Sequence, residues 1–264
     1  MEMTPSYNIF LVALSYVISV FGSFVGLQLV RGMRTSDESS RFKWVATAAL
    51  ALGGGAIWAM HFIGMLAYET PMDVGYDAGI TFLSLALAIV VVGAGLFFLS
   101  MHTQSLGYLL IAGILTGLGV ASMHYAGMEA MVMAADMTYD TTLVGISIVI
   151  AMVAATAALW LAFNLEGSKQ MVGASFVMGL AVCGMHYTGM AAMTMTGHDH
   201  AVLIESTIAP MTLGLLIFCF SMLLLVLCLI VTLVQLNRRM YAELEAEDDD
   251  DQSDPAMASL KPTA

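Results

Sequence analysis

The sequence predicts an all-α integral membrane protein with seven transmembrane helices, built from three repeated helix pairs plus one extra N-terminal helix. Of its 264 residues, 59% are hydrophobic and only 11% are charged, which is too little polar material to cover a soluble domain. Seven apolar stretches are also long enough to cross a bilayer, which takes about 20 residues of helix. We therefore expect bilayer lipid to surround most of the chain.

The first span, predicted at 9–30, is preceded by no Lys or Arg and is long enough to cross the membrane. We therefore expect it to remain as a membrane helix rather than to be removed as a signal peptide. The other spans are predicted at 44–68, 79–101, 107–133, 142–163, 171–195 and 210–236. Glu129, close to the end of its span, is the only acidic residue in any of the seven.

Charge divides the chain into a membrane domain, predicted at 1–240, and a disordered acidic cytoplasmic tail, predicted at 241–264. Eight of the twenty acidic residues lie in the last 22 positions, and such a segment buries too little apolar surface to order itself. The few basic residues argue against nucleic-acid binding. Three cysteines in apolar stretches suggest no disulfide framework.

Basic residues in the short loops predict the orientation of the chain. All of them fall on one side of the predicted spans: Arg31, Arg34, Arg41, Lys43, Lys169, Arg238, Arg239 and Lys261. Because Lys and Arg are retained on the cytoplasmic side of a membrane, the N-terminus is expected outside and the C-terminus in the cytoplasm. The opposite loops carry acidic residues and no basic ones.

A short motif recurs three times in the second, fourth and sixth spans. The copies are Met60-His61-Phe62-Ile63-Gly64-Met65, Met123-His124-Tyr125-Ala126-Gly127-Met128 and Met185-His186-Tyr187-Thr188-Gly189-Met190. Their histidines are 63 and 62 residues apart (61 to 124 and 124 to 186). Each repeat is one outward-going helix and one returning helix, so the three motif helices run in the same direction. All three histidines are therefore expected at one depth, near the outer face.

Helix periodicity predicts which motif side chains face each other. Each histidine shares a helix face with the methionine four residues later, while the methionine before it flanks that face. The same stripe continues to Met131 in the second copy and Met193 in the third. Imidazole and thioether ligands together suit copper, whereas zinc more often brings thiolates or carboxylates. The predicted ligands are His61, His124, His186, Met65, Met128, Met190, Met60, Met123 and Met185.

Two readings of the surrounding residues stay open at this point. Methionine is an adaptable core filler, so the methionines can also be packing alone. Met131 and Met193 are possible secondary ligands, and His198 and His200 either capture an arriving cation or are loop residues without a role.

These motifs resemble the MHYT domain of bacterial membrane sensors, over about residues 7–240. Met185 to Thr188 spells the family's motif in full, while the second copy ends in Ala126 and the first has Phe62 and Ile63. The resemblance implies copper bound by the Met and His side chains of an inner-membrane protein that senses O2, CO or NO. The family often carries a cytoplasmic output module. Because few residues follow Arg239, we expect a separate cytoplasmic signalling protein to receive the signal.

Two alternatives to a sensor remain at the level of the sequence. A copper-handling protein, for transport or for delivery to a membrane oxidase, would use the same ligands. A b-type haem protein also places histidines at matched depth on facing helices, although three copies fit paired axial ligands less well. No enzyme is predicted, because the sequence shows no paired carboxylates, catalytic triad or phosphate-binding glycine loop.

Overall fold

The computed structural model of the chain describes residues 6–34, 38–70, 72–102, 105–165, 167–197 and 207–253. Seven helices in these ranges are long and apolar enough to cross a membrane, as predicted. They are α1 (Ile9–Arg34), α2 (Glu38–Leu66), α3 (Ala78–Met101), α4 (Leu106–Glu129), α5 (Thr141–Asn164), α6 (Ser168–Ala191) and α7 (Pro210–Ser253). The prediction of an all-α membrane fold with seven spans is confirmed.

Polar side chains fix the starts of the helices that return from the motif helices. The carboxylate of Asp77 accepts a hydrogen bond of 2.8 Å from the Ile80 amide at the start of α3. Asp140 accepts bonds of 2.7 and 3.1 Å from the Thr142 and Leu143 amides at the start of α5. These bonds lower the pKa of the Asp140 carboxyl. Two acids of the loops opposite the basic ones therefore act as helix caps, which is a structural role.

Seven short strands connect the helices at the end of the bundle where α2, α4 and α6 finish, here called the motif end. They are β1 (Ser6–Tyr7), β2 (Tyr68–Glu69), β3 (Gly75–Asp77), β4 (Met131–Val132), β5 (Ala135–Tyr139), β6 (Met193–Gly197) and β7 (Thr207–Ile208). All pairing is antiparallel: β1 with β2, β3 between β4 and β7, and β5 with β6. The motif end is thus closed by hydrogen-bonded backbone.

The strands correct the prediction that α4 and α6 run to residues 133 and 195. Both helices end four residues earlier, so Met131 and Met193 belong to β4 and β6 and not to a helical stripe. In β6 the two methionines are buried and the threonine after each of them is exposed, an alternation that favours a strand over a helix. Tyr139 of β5 pairs with Met193 and so fixes the register.

Helix α2 is the most enclosed of the seven. Of its most apolar 18-residue window, 83% is buried, against 22–44% for the other spans. Helix α1 packs on α2 and α6, α3 on α2 and α4, and α5 on α4 and α6. Glycine permits these close approaches: a Cβ at Gly53 would lie 2.6 Å from the carbonyl oxygen of Ala88, and one at Gly22 2.8 Å from the Ala56 Cα. Residues 50–58 of α2 are wound as a π-helix.

The last helix is longer than predicted. The chain divides into a compact unit that ends at Leu224 and a second unit of residues 225–264. Helix α7 continues to Ser253, so residues 241–253 are helical where a disordered tail is predicted. Ala, Glu and Leu dominate residues 242–247, and their high helix propensity accounts for the difference. Residues 254–264 lie outside the described ranges, and the predicted domain boundary at residue 240 stays a prediction.

Candidate metal centre

Three histidine side chains meet on the axis between α2, α4 and α6. The Nδ1 atom of His61 lies 3.0 Å from that of His186 and 3.0 Å from that of His124, and the latter two are 3.3 Å apart. All three side chains are at most 1% exposed. The predicted convergence of the three motif histidines is therefore present in the structure, and it forms what we call the histidine ring.

Each imidazole turns its other edge toward the glycine of a neighbouring motif helix. His61 packs on Gly127, His124 on Gly189 and His186 on Gly64. A Cβ at any of these glycines would lie only 2.7–2.9 Å from the imidazole Cδ2, closer than a real side chain approaches. The three contacts therefore run in one cyclic order around the ring, and they require glycine three residues after each histidine.

Hydrogen bonding alone does not satisfy the ring. A neutral Nδ1 either carries a proton and donates, or carries a lone pair and accepts, but it does not do both. In a triangle at least one side must then join two donors or two acceptors. The Nε2 atoms do not compensate for this unpaired side, because none of them has a hydrogen-bond partner among the described residues. The ring therefore leaves buried nitrogen atoms without a full set of hydrogen bonds, and a shared positive centre would satisfy them.

The spacing of the three nitrogens suits a metal ion. Two nitrogens held at about 2.0–2.1 Å from one ion lie roughly 2.9–3.5 Å apart for bond angles of about 90–120°. Among the described residues, this is the only group of three or more His, Cys, Asp and Glu side chains placed to hold a metal.

The motif methionines are all buried. Met60, Met65, Met123, Met128, Met185 and Met190 are each at most 2% exposed. The cluster of the motif end joins Met65, Met123, Met128 and Met190 to Met131, Met133, Met193 and Met195 of the connections beyond α4 and α6. Met131 and Met193 are thus buried near the motif end although they leave the helices. Ligation by any methionine stays a prediction.

Hydroxyl contacts hold the motif helices in place, and sequence reasoning did not find the partners. The Tyr125 hydroxyl lies 2.6 Å from Ser147 Oγ on α5, and the Tyr187 hydroxyl 3.0 Å from Ser15 Oγ on α1. In the first copy Phe62 has no hydroxyl, and the indole of Trp58 instead donates to Ser84 Oγ at 3.1 Å.

Two of the partner serines follow the spacing of the repeat in the sequence. Ser84 and Ser147 are separated by the same 63 residues (84 to 147) as His61 and His124. Aligning the returning helices, and not only the motif helices, would therefore have found them.

The described residues include one further buried cysteine and one further histidine, and neither belongs to the ring. Cys183 is buried one turn before Tyr187, but it does not belong to the metal-holding group. His102 lies at the other end of the bundle, where its Nδ1 is 2.7 Å from the Phe98 carbonyl oxygen. His198 and His200 fall outside the described residues.

A family model described as a bacterial signalling protein N-terminal repeat, MHYT, matches this chain at residues 54–112, 117–175 and 179–243. The chain belongs to the MHYT family. The three matches follow the three predicted repeats, each of which contains one histidine of the ring. Membership supports a signalling role for this multi-pass membrane protein.

Curated relatives of this MHYT protein are longer signalling proteins. It is 41% identical over 195 residues to the bifunctional diguanylate cyclase/cyclic di-GMP phosphodiesterase MucR of Pseudomonas aeruginosa, covering 72% of this chain and 28% of MucR. It is 32% identical over 240 residues to the signaling protein YkoW of Bacillus subtilis, covering 85% of this chain and 29% of YkoW. The cyclic di-GMP phosphodiesterase NbdA of Pseudomonas aeruginosa is 34% identical over 197 residues, 72% of this chain and 25% of NbdA.

The match therefore spans between a quarter and three tenths of the length of these relatives. No solved structure matches this MHYT chain.

The glycine contacts of the ring lead to a stability prediction. Gly127→Ala places a methyl group against the His61 imidazole, and overpacking of this kind costs about 1–3 kcal/mol. We expect a lower melting temperature for the purified protein in detergent. Gly184→Ala is the matched control, because no heavy atom lies within 4 Å of its added Cβ and alanine favours a helix. Equal stability of the two variants would contradict the ring packing.

Proposed function

We propose that this protein is a sensor in which the histidine ring holds one copper ion and a diatomic gas (O2, CO or NO), or a change of redox state, is the signal. One observation carries the proposal: three buried imidazole nitrogens converge to 3.0–3.3 Å in an arrangement that a shared cation would satisfy. The family's signalling description agrees with a sensor.

The chemistry of the surroundings favours copper over other ions. Imidazole binds both oxidation states of copper, and the thioethers of the neighbouring methionines favour Cu(I). No carboxylate lies in the ring, so the charge of the site is the charge of the ion. Because the cost of burying a charge rises with its square, Cu(I) costs roughly a quarter of what a divalent ion costs at the same radius. Copper would supply a redox centre with affinity for these gases.

The ring is built to pass a local change to the helices. Each histidine is anchored on one motif helix and packs on the glycine of another, so displacement of an imidazole pushes on that second helix. Packed interfaces respond to such pushes by shifts of whole helices. Helices α2, α4 and α6 continue to the opposite end of the bundle, where the basic loops lie. A separate cytoplasmic signalling protein would read their shift there, and the chain itself would have no enzymatic activity.

Copper analysis of purified protein tests the metal. We expect stoichiometric copper and a higher melting temperature in wild type, because a ligand that binds only the folded state stabilises it. Both should be lost in the triple variant His61→Ala, His124→Ala and His186→Ala. His102→Ala is the matched control and should retain the copper, since His102 lies outside the ring. The same copper content in wild type and in the triple variant would refute the proposal.

Gas binding is measured on the Cu(I)-loaded protein. Exposure to CO should produce an infrared band from bound CO in wild type and in His102→Ala, and none in the metal-free protein. A copper-loaded protein without a band, and with unchanged spectra under NO and O2, would leave a copper site that does not sense a gas.

The methionine ligands are tested with a volume-conserving substitution. Leucine replaces methionine in a core at a cost usually below about 1.5 kcal/mol, so the fold should survive. We expect the triple variant Met65→Leu, Met128→Leu and Met190→Leu to lower Cu(I) affinity at least tenfold, or about 1.4 kcal/mol. The double variant Met133→Leu and Met195→Leu changes the same buried cluster beyond the motifs and is the control. Equal affinities would assign the motif methionines to packing.

The proposed orientation in the inner membrane is tested by thiol labelling. Glu38, the first residue of α2, and Asp136 of β5 are both exposed and lie at opposite ends of the bundle. With the basic loops in the cytoplasm, a membrane-impermeant maleimide should label Asp136→Cys in intact spheroplasts, and Glu38→Cys only after lysis. Wild type provides the background from its own cysteines. The reverse pattern would invert the orientation.

A further inference from the structure

A cavity of about 70 Å³ lies on the axis of the histidine ring, on the side away from the motif end. Its position is given by three residues, Ile57, Val120 and Val182, each of which precedes a ring histidine by four residues. Since four residues are about 6 Å along a helix, the cavity begins one turn from the ring. Met185, which precedes His186, also lines it.

Small side chains open this space. Helix α5 contributes five alanines to the lining: Ala151, Ala154, Ala155, Ala158 and Ala162. They recur at helical spacing, so one alanine face of α5 looks across the cavity toward the motif helices. Larger residues at these positions would fill the space, as Leu159 does on the same helix.

Two hydroxyl groups break the otherwise apolar wall. Ser23 of α1 is fully buried and Thr116 of α4 is 5% exposed, and both line the cavity. Neither hydroxyl oxygen has a hydrogen-bond partner among the described residues. A hydroxyl of this kind can turn toward an occupant or back to a carbonyl of its own helix. The wall thus offers weak donors in an environment too apolar to hold a water by three hydrogen bonds.

We propose that this cavity binds one neutral diatomic gas molecule, beside the histidine ring and independently of any metal in it. Apolar protein cavities of about 150 Å³ stay dry and take up xenon or benzene. A cavity of half that volume suits a diatomic molecule and excludes an aromatic ring. The inference rests on the proposed function and extends it, because it gives the gas a binding site within two helical turns of the ring.

Xenon is the probe, since it enters such cavities without needing a metal. Protein with ¹³C-labelled methionine methyl groups is titrated with xenon, with copper removed. We expect saturable shifts of the Met185 and Met178 methyl signals, because both residues line the cavity. Met222, 41% exposed on α7, should show only the linear shift of a methyl group in detergent. CO added together with xenon should compete with it and reduce these shifts.

A substitution that fills the cavity gives the decisive test. Ala155→Leu should abolish the saturable shifts, and Ala158→Leu is a second variant should the first fail to fold. Ala157→Leu adds the same volume on the exposed face of α5 and should leave the shifts as in wild type. Linear shifts at Met178 and Met185 in wild type, or saturable shifts that survive in a folded cavity-filling variant, would overturn the inference.

The two proposals fail separately. Loss of xenon binding with normal copper content would remove the gas cavity and leave the metal site. Saturable xenon binding in a protein that takes up no copper would do the reverse.

Discussion

An odd number of imidazoles in mutual contact is the constraint on which the rest of the structure depends. Two histidines can share one proton between them and be satisfied, but three at 3.0–3.3 Å cannot all be paired. Burying them without a common partner would cost several kcal/mol. Three helices, three glycines and a layer of hydrogen-bonded strands hold this arrangement in place, and a shared cation is the partner that we propose for it.

The threefold repeat of the sequence is not a threefold symmetry of the bundle. Tyr125 finds its serine on the returning helix of its own repeat, whereas Tyr187 finds Ser15 on α1, the helix outside the repeats. Gly117 and Gly179 each precede their motif histidine by seven residues, but Gly117 packs on Met152 of α5 and Gly179 on Val20 of α1. Helix α1 therefore supplies the serine and the packing surface for α6 that the returning helix α5 supplies for α4.

The sequence predicted what depends on composition and period. Seven spans, the shared depth of the histidines and their convergence follow from apolar length and from a motif that repeats every 62 or 63 residues. The predicted ends of α4 and α6 were wrong. A helical stripe and a strand alternation are both compatible with Met193 at its position, and the backbone pairing with Tyr139 shows that it lies in a strand.

Other features are set by neighbours that a single sequence does not reveal. That Gly127 receives His61, and not the histidine of its own helix, depends on the packing of α2 against α4. The cavity beside Ala155 likewise exists only because five other helices stop short of that face. Neither the cyclic order of the ring nor the void on its axis has a signature along the chain.

The long separation of the ring residues also bears on biosynthesis. His61 and His186 are 125 residues apart, so the first histidine is in the membrane well before the last one is made. At synthesis rates of about 5–20 residues per second, that interval is roughly 6–25 s. During it the nascent chain holds two imidazoles that can pair with each other and need no ion. A copper ion held by all three histidines, as we propose, therefore requires that α6 has already been inserted.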